Sequence, residues 1–347
     1  MKLLKSVFAT LLLLALLSGC AAPAAPVTTT APVSASSGGL TVHFINVGQA
    51  DCALLECDGE YILIDGGNVE DSSRVVSYLD KQGVQELEAV VCSHAHEDHV
   101  GGLPGVLAVY PTEAVYAPTR TYSSNCFDDF VYYTDQQGLS ITIPNTGDCF
   151  TFGSASVEVI GPVKQYADTN NTSIILMVTY GQNRFLFTGD METTAEKDLT
   201  ESGADLKSDV LKVGHHGSDT STGYRFLYEV APSYAVISVG EGNSYGHPNE
   251  VPLSRLEDAG CAIYRTDKLG NITAHSDGQN ITFSWEYSNS TPDSGESAPV
   301  TYIGNTKSKI LHMPSCASLP GEQNRTYFSD YEEAIHTGYT PCFRCMK

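Results

Sequence analysis

The stretch Leu87-Glu88-Ala89-Val90-Val91-Cys92-Ser93-His94-Ala95-His96-Glu97-Asp98-His99-Val100-Gly101-Gly102 decides the fold. Its first seven residues read as a buried strand, short and largely apolar. That strand delivers four candidate ligands, His94, His96, Asp98 and His99, within six residues. Imidazole and carboxylate are the donors that zinc-type ions favour, and one strand-to-helix turn can aim several of them at one point. His94 and His96 share a face of an extended segment and can hold one ion together. Asp98 and His99 begin the next turn, offset enough to serve a second ion. A lone histidine is ordinarily a surface or core residue, but four ligands gathered at a strand end read as a metal site.

Outward from this turn the chain is rich in short strands. The patterning predicts strands over 40–46, 52–56 and 61–65, with tight turns at Gly48-Gln49-Ala50-Asp51 and Gly66-Gly67. A helix is expected over 71–81, and an apolar run over 103–110 follows the ligand turn. The 347 residues are 41% hydrophobic and 17% charged, which excludes wholesale disorder. Nineteen Lys and Arg stand against 41 Asp and Glu, a formal charge of −22. That balance argues against a simple electrostatic nucleic-acid binder, which presents a basic face, and leaves room for an enzyme that meets a polyanion through metal ions.

His-x-His-x-Asp-His with trailing glycines resembles the metallo-β-lactamase superfamily. That resemblance implies an α/β fold, an αββα sandwich of two packed sheets flanked by helices. It also implies a bridging aspartate at Asp190, where Phe185-Leu186-Phe187-Thr188-Gly189-Asp190 ends a strand, and a last ligand at His215 in Leu211-Lys212-Val213-Gly214-His215-His216-Gly217-Ser218. The interval between them is too short for the inserted domain of the RNA-processing β-CASP branch. A finer resemblance is to the extracellular hydrolase domain of ComEC-like DNA-uptake proteins. It rests on Phe44-Ile45-Asn46-Val47-Gly48-Gln49-Ala50-Asp51, Asp65-Gly66-Gly67, Asn170-Asn171-Thr172-Ser173-Ile174-Ile175-Leu176, the His215-His216-Gly217-Ser218 run and Asn243-Ser244-Tyr245-Gly246-His247-Pro248, in the family's order. No histidine lies between His99 and His215, so the superfamily's middle ligand is missing. The ligand sets so implied are His94, His96 and Asp190 for the first ion, and Asp98, His99, Asp190 and His215 for the second. Asn171 or His247 is available to complete a shell, and each is equally well explained as a turn-forming Asn or a loop His. Asp51 and Asp65 stand where carboxylates would orient histidines, although Asp beside Gly is also ordinary turn chemistry.

Two divalent ions sharing a water generate hydroxide near neutral pH and offset charge on a phosphoryl oxygen. Zinc is the expected ion, with manganese as the alternative. Asp98 belongs to this catalytic apparatus, and His216, Lys212 or His247 would stabilise an oxyanion or protonate the leaving group. Ser218 reads as a helix N-cap. The resemblance to ComEC implies phosphodiester hydrolysis, with DNA the first substrate to consider. A related cell-wall esterase releases phosphorylcholine, but that class carries Trp-rich repeats, and this chain has one tryptophan, Trp285. The rival readings are a cell-wall or small-molecule phosphodiesterase and a non-catalytic DNA-binding lipoprotein.

The two ends of the chain add an address and a module. Lysines in residues 1–5, an apolar run over 7–17 and Leu17-Ser18-Gly19-Cys20 read as an export signal. The last four residues resemble a bacterial lipobox, which implies a lipid on Cys20, attachment to the membrane and an extracytoplasmic location. The expected layout is a signal peptide over 1–19, a tether over 20–39, the hydrolase over 40–287, a Ser- and Pro-rich linker over 288–299 and a small C-terminal domain over 300–347. That domain holds His312, Cys316 and Cys342-Phe343-Arg344-Cys345, a spacing that fits a closed tetrahedral zinc site. In an exported protein the same thiols are also candidates for a disulfide. With Glu332-Glu333-Ala334 and Gly338-Tyr339-Thr340-Pro341 they resemble the zinc-binding domain of the Ada repair protein, which uses four cysteines, one of them methyl-accepting. His312 replaces that cysteine here, so a structural zinc is implied, with Arg344 and Lys347 as candidate phosphate contacts. Six further cysteines, Cys52, Cys57, Cys92, Cys126, Cys149 and Cys261, are open to several pairings, Cys126 with Cys149 among them. Nothing in the sequence points to a protein partner.

Overall fold

The computed structural model describes residues 38–294, 302–314, 316, 318–328, 331–342 and 344–346. The export signal, Cys20, nearly all of the first tether, part of the linker and Lys347 lie outside the described residues.

Two sheets form the body. The first has seven strands, in the order Ile281–Trp285, Ile272–Ser276, Leu40–Phe44, Ala53–Cys57, Glu60–Ile64, Leu87–Val91 and Thr112–Tyr116. The second has eight, from Asp293–Ser294 through Ala262–Arg265, Tyr234–Ile237, Val210–Lys212, Asn183–Phe187, Ile175–Tyr180 and Ala155–Gly161 to Cys149–Phe152. Period-two patterning sorts their side chains into layers. Leu40, Val42, Phe44 and Leu55 of the first sheet share one core with Val157, Leu176, Phe185 and Phe187 of the second. The outward residues Leu54, Leu63 and Val90 pack under helices Ser72–Gln82, Leu103–Val109 and Asn125–Gln136. Leu186, Leu211 and Ala235 pack likewise under Thr193–Glu201, Tyr224–Val230 and Glu250–Asp258. Helix, sheet, sheet, helix is the αββα sandwich expected from the sequence.

Each sheet changes from antiparallel to parallel pairing at the strands that matter. Glu60–Ile64, Leu87–Val91 and Thr112–Tyr116 run parallel in the first sheet. In the second, Asn183–Phe187, Val210–Lys212 and Tyr234–Ile237 do the same. Parallel strands present their carboxyl ends at one edge, where ligand sites of α/β folds collect. Asp65, His94, Asp190 and His215-His216 each follow the end of one of these strands within a few residues.

The C-terminal residues make a separate four-stranded sheet, ordered Arg325–Phe328, Tyr302–Asn305, Ile310–His312 and Thr340–Pro341. Its small core is Leu311, Met313, Ala334, Tyr339 and Met346. The module leans on the body helix Tyr224–Val230, where the rings of Tyr228 and Tyr331 lie 4.7 Å apart.

No disulfide forms among the described cysteines. Cys126 is buried on its helix while Cys149 is exposed on a strand, so the pairing considered above is not made. Burial pushes the thiols of Cys52 and Cys92 well above their ordinary range, which keeps both protonated and inert. Ser218 is no helix N-cap either: helix Tyr224–Val230 begins behind Gly223, and Ser218 instead accepts the Thr220 backbone N–H.

Candidate metal centres

The ligand turn is locked from behind by Asp65. Its carboxylate accepts the Ser93 N–H and the Ser93 hydroxyl, both at 2.7 Å, and lies 2.9 Å from His99 Nδ1. These bonds hold Asp65 in a left-handed conformation, φ 59°, that a non-glycine residue adopts at a cost of about 1–3 kcal/mol. With Nδ1 committed to Asp65, His99 turns Nε2 toward Asp190, 3.2 Å from Oδ1. The turn fits only because its neighbours lack side chains. The Gly66 N–H donates to the His99 carbonyl at 2.7 Å, and a Cβ on Gly102 would collide with the Gly66 carbonyl.

Asp190 is the meeting point. The His94 Nε2 lies 3.9 Å from its Oδ2, His215 Nε2 3.7 Å and His216 Nε2 3.7 Å. His96 Nδ1 is 3.1 Å from His94 Nε2, so the two first histidines stand side by side. The Ser173 hydroxyl oxygen holds the turn by accepting the Asp190 N–H at 3.0 Å. Asn171 braces the same turn, accepting the Glu192 N–H at 3.1 Å through Oδ1. It therefore supports the loop that carries Asp190.

His215 and His216 differ from what the sequence implied. The expected second set was Asp98, His99, Asp190 and His215. In the structure the ligand atoms of Asp98, His99, Asp190 and His216 all lie within 4.8 Å of one another. His216 is buried, its Nδ1 faces the Ser238 carbonyl at 3.0 Å and Asp51 Oδ1 at 3.2 Å, and its Nε2 sits 3.3 Å from Asp98. His215 is more open and turns Nδ1 toward Thr220 and Glu192. The reason is local: both residues take left-handed φ angles, 49° and 52°, which throws consecutive side chains in different directions.

Lys212 also takes another role than the one its sequence position offered. Its ammonium is buried against Asp51 at 2.7 Å and against the Val213 carbonyl at 3.1 Å, so it cannot reach a substrate. It neutralises the carboxylate that orients His216. His247 stands at the rim, its ring 5.6 Å from that of His215 and its Nδ1 3.4 Å from Gln49 Nε2. Burial and the neighbouring His215 hold its pKa below the ordinary histidine value.

The electrostatics call for cations. Burial opposes charge on His216, but Asp190 and Asp51 overcome it and push its pKa up to about 10. His99 is likewise lifted well above its ordinary value by Asp190 and Asp65 against burial. His94, buried beside His99, is held well below. Asp190 Oδ1 and His99 Nε2 face each other at 3.2 Å without hydrogen-bond alignment, and neither atom has another hydrogen-bond partner among the described residues although both are buried, an arrangement that an ion bound by both would satisfy. A divalent ion fits: it takes a carboxylate and neutral imidazoles as ligands and supplies the positive charge that the carboxylates demand.

The module has a different donor set. His312, Cys316, Cys342 and Cys345 bring one ligand atom each to within 4.8 Å of the others. His312 Nδ1 is 3.3 Å from Cys316 Sγ. The Met313 N–H points at Cys345 Sγ and the Ser318 N–H at Cys316 Sγ, contacts that favour thiolates. Burial raises the Cys342 thiol, but the Arg344 and Cys345 N–H groups outweigh it and bring the pKa below the usual value. A closed Cys3His set suits structural zinc. Arg344, one of the two candidate phosphate contacts, donates to the Ser318 hydroxyl at 3.0 Å.

Sequence reasoning missed Ser93, whose position directly before His94 was a usable signal, Ser173, which the chain brings to Asp190 only by folding, and Tyr122 and Tyr245, whose rings flank His96 and His247.

Comparison with known proteins agrees with this architecture. The family model of the metallo-beta-lactamase superfamily matches residues 45–241, more than half of the chain. The metal binding domain of Ada matches residues 296–347. The chain is 28% identical to ComE operon protein 3 of Bacillus subtilis over 67% of its own length and 32% of that protein. It is 31% identical to competence protein ComA of Neisseria gonorrhoeae, covering 65% of the chain and 31% of the relative. With recombination protein 2 of Haemophilus influenzae the identity is 30%, over 67% of the chain and 28% of the relative. The chain thus spans about a third of the length of these relatives.

Proposed function

Because the chain belongs to the metallo-β-lactamase superfamily, we propose that it is a metal-dependent hydrolase, a phosphodiesterase that cleaves DNA outside the cytoplasm, held at the membrane by a lipid on Cys20. The observation that carries this reading is the meeting of two donor groups on one carboxylate: His94, with His96 beside it, and Asp98 with His99 and His216, gathered at Asp190. Two divalent ions bound there would lower the pKa of a shared water and offset charge on phosphoryl oxygens. A phosphodiester gains more from such a site than an amide, because its anionic oxygens are attracted before the reaction begins.

The chain's own groups prepare the site. Asp65 and Ser93 fix the tautomer and tilt of His99, and Asp51 does the same for His216. Lys212 keeps Asp51 ionised in a buried position. Asp98, whose side chain is 30% exposed, is the carboxylate of the cluster that reaches the opening and can accept a proton there. His247, at the rim, is placed to hydrogen-bond the departing oxygen. The competence and recombination names of the relatives support DNA as the substrate. The Ada-like module supports it too, as a zinc-stabilised unit with Arg344 on its surface. Methyl acceptance is no part of the proposal, since His312 stands where Ada has its reactive cysteine.

The test is cleavage of single- and double-stranded DNA by the full chain with added Zn²⁺ or Mn²⁺, beside a His96→Ala control. Metal-dependent cleavage that disappears in the control is expected. Absence of cleavage with metal bound overturns the DNA assignment and turns the search to cell-wall phosphodiesters. DNA binding that His96→Ala leaves intact, with no cleavage by either protein, identifies a non-catalytic binder.

A further inference from the structure

The rim of the body centre carries an aromatic ring that hydrolysis itself does not use. Tyr245 is 71% exposed, the most accessible of the large apolar side chains described. An exposed tyrosine is unremarked on a loose loop, but this loop is tied at many points. Asn243 Oδ1 accepts the N–H of Tyr245 at 3.1 Å and that of His247 at 3.0 Å. Asn243 Nδ2 donates to the Gly240 and His247 carbonyls. The Gly240 N–H is held by Gln49 Oε1 at 3.1 Å, and the Asn249 N–H by the Gly217 carbonyl at 2.9 Å. The loop is therefore braced to both the Gln49 turn and the turn that bears His215 and His216.

The ring is aimed as well as held. Tyr245 stacks on His247 with centroids 5.7 Å apart and planes 25° from parallel. His247 in turn lies 5.6 Å from His215, whose Nε2 reaches Asp190. His247 flanks the ring in an offset stack on the side that leads to the metal ligands, and most of the residue is open to solvent. Among the described residues its ring contact is with His247 alone. A quaternary ammonium is recognised by several aromatic faces around it, whereas a single flat, open face is a stacking platform for a planar ring.

We propose that the open face of Tyr245, one ring outward from His247, is a subsite for a nucleobase of the substrate strand, and that it sets the preference for nucleic acid over other phosphodiesters. This deepens the phosphodiesterase reading and rests on it for the identity of the scissile group. Tyr245 is 71% exposed and contributes no buried surface to a core cluster among the described residues, so its replacement leaves folding unaffected.

Calorimetric binding of deoxyadenosine monophosphate and of deoxyribose 5-phosphate to the full chain, as wild type, Tyr245→Ala and Tyr245→Phe, tests the subsite without calling on hydrolysis. Wild type and Tyr245→Phe should bind the nucleotide more tightly than the sugar phosphate. Tyr245→Ala should lose roughly five- to a hundredfold of the nucleotide affinity, the value of one base–aromatic stack, with the sugar phosphate unaffected. Equal affinity for the two probes in the wild type overturns the proposal, as does failure of either to bind. A loss of phosphocholine rather than nucleotide binding in Tyr245→Ala overturns it as well. DNA cleavage by the wild type, scored separately, keeps the phosphodiesterase reading independent: cleavage with an indifferent Tyr245 sinks the subsite alone.

Discussion

The two metal centres of this chain stand in contrast. The body centre draws its donors from distant points of the sequence, from His94 to His216, and mixes imidazole with carboxylate. It is partly open, through Asp98 and His215, and its histidines are steered by carboxylates behind them. The module centre is made of three thiols and one imidazole on a unit with a five-residue core, and its donors are supported by backbone N–H groups. An open site with acceptor-rich surroundings can admit a reacting group and hold it against charge change. A closed thiolate site contributes folding energy to a unit too small to supply its own. The body is already held together by three large clusters of buried apolar side chains, so its ions are free to serve chemistry.

The largest effect should come from removing the carboxylate on which the two donor groups meet. Asp190→Ala should reduce hydrolysis by more than the tenfold to hundredfold typical of residues that only orient ligands, and metal analysis should find the body site depleted while the module keeps its zinc. Retention of body metal in this variant would break the assignment of Asp190 as the shared ligand.

A step smaller is the group that acts from behind. Lys212→Met leaves the buried Asp51 carboxylate with His216 as its remaining partner, at a cost of up to about 3–5 kcal/mol. Metal affinity and activity should fall about 10- to 100-fold with it. Thermal unfolding of Lys212→Met with Asp51→Asn separates the two effects: the double variant should recover most of the stability and little of the metal affinity. Recovery of both would make Lys212 a matter of folding alone.

The smallest effect on hydrolysis belongs to the other centre. Cys345→Ser should lower bound zinc by one equivalent and expose the module to protease, while hydrolysis of a small phosphodiester by the body continues at the wild-type rate. If the small-substrate rate falls with the module, the two centres are coupled through the helix Tyr224–Val230 that both lean on, and the contrast between them narrows.

Much of the site was legible from particular residues. His94, His96, Asp98 and His99 declared themselves by spacing at a strand end, and Asp65 and Asp51 by standing beside glycine turns upstream. The module's four ligands were legible for the same reason, since a knuckle such as Cys342 to Cys345 is a local structure. The division of labour between His215 and His216 was not legible. Adjacent residues are equivalent in sequence, and two successive left-handed φ angles decide which ring turns inward. Lys212 was visible as a charge near the site, yet only the packing of its strand against the Asp51 turn reveals a buried pair. Asn171 was a candidate ligand until its side chain proved to hold the Glu192 backbone.

The sequence by itself determined the layers and the chemistry: alternating apolar residues built two sheets that can bury a face on each side, and the donor types selected a metal site at the strand ends. Tertiary structure alone decided which donors gather at one point, which charges neutralise one another and which ring stands exposed beside His247. Those outcomes depend on distances of a few ångströms between segments more than a hundred residues apart, such as Asp98 and His216. Spacing along a chain encodes a period, and the convergence of separate loops is set by how the sheets pack.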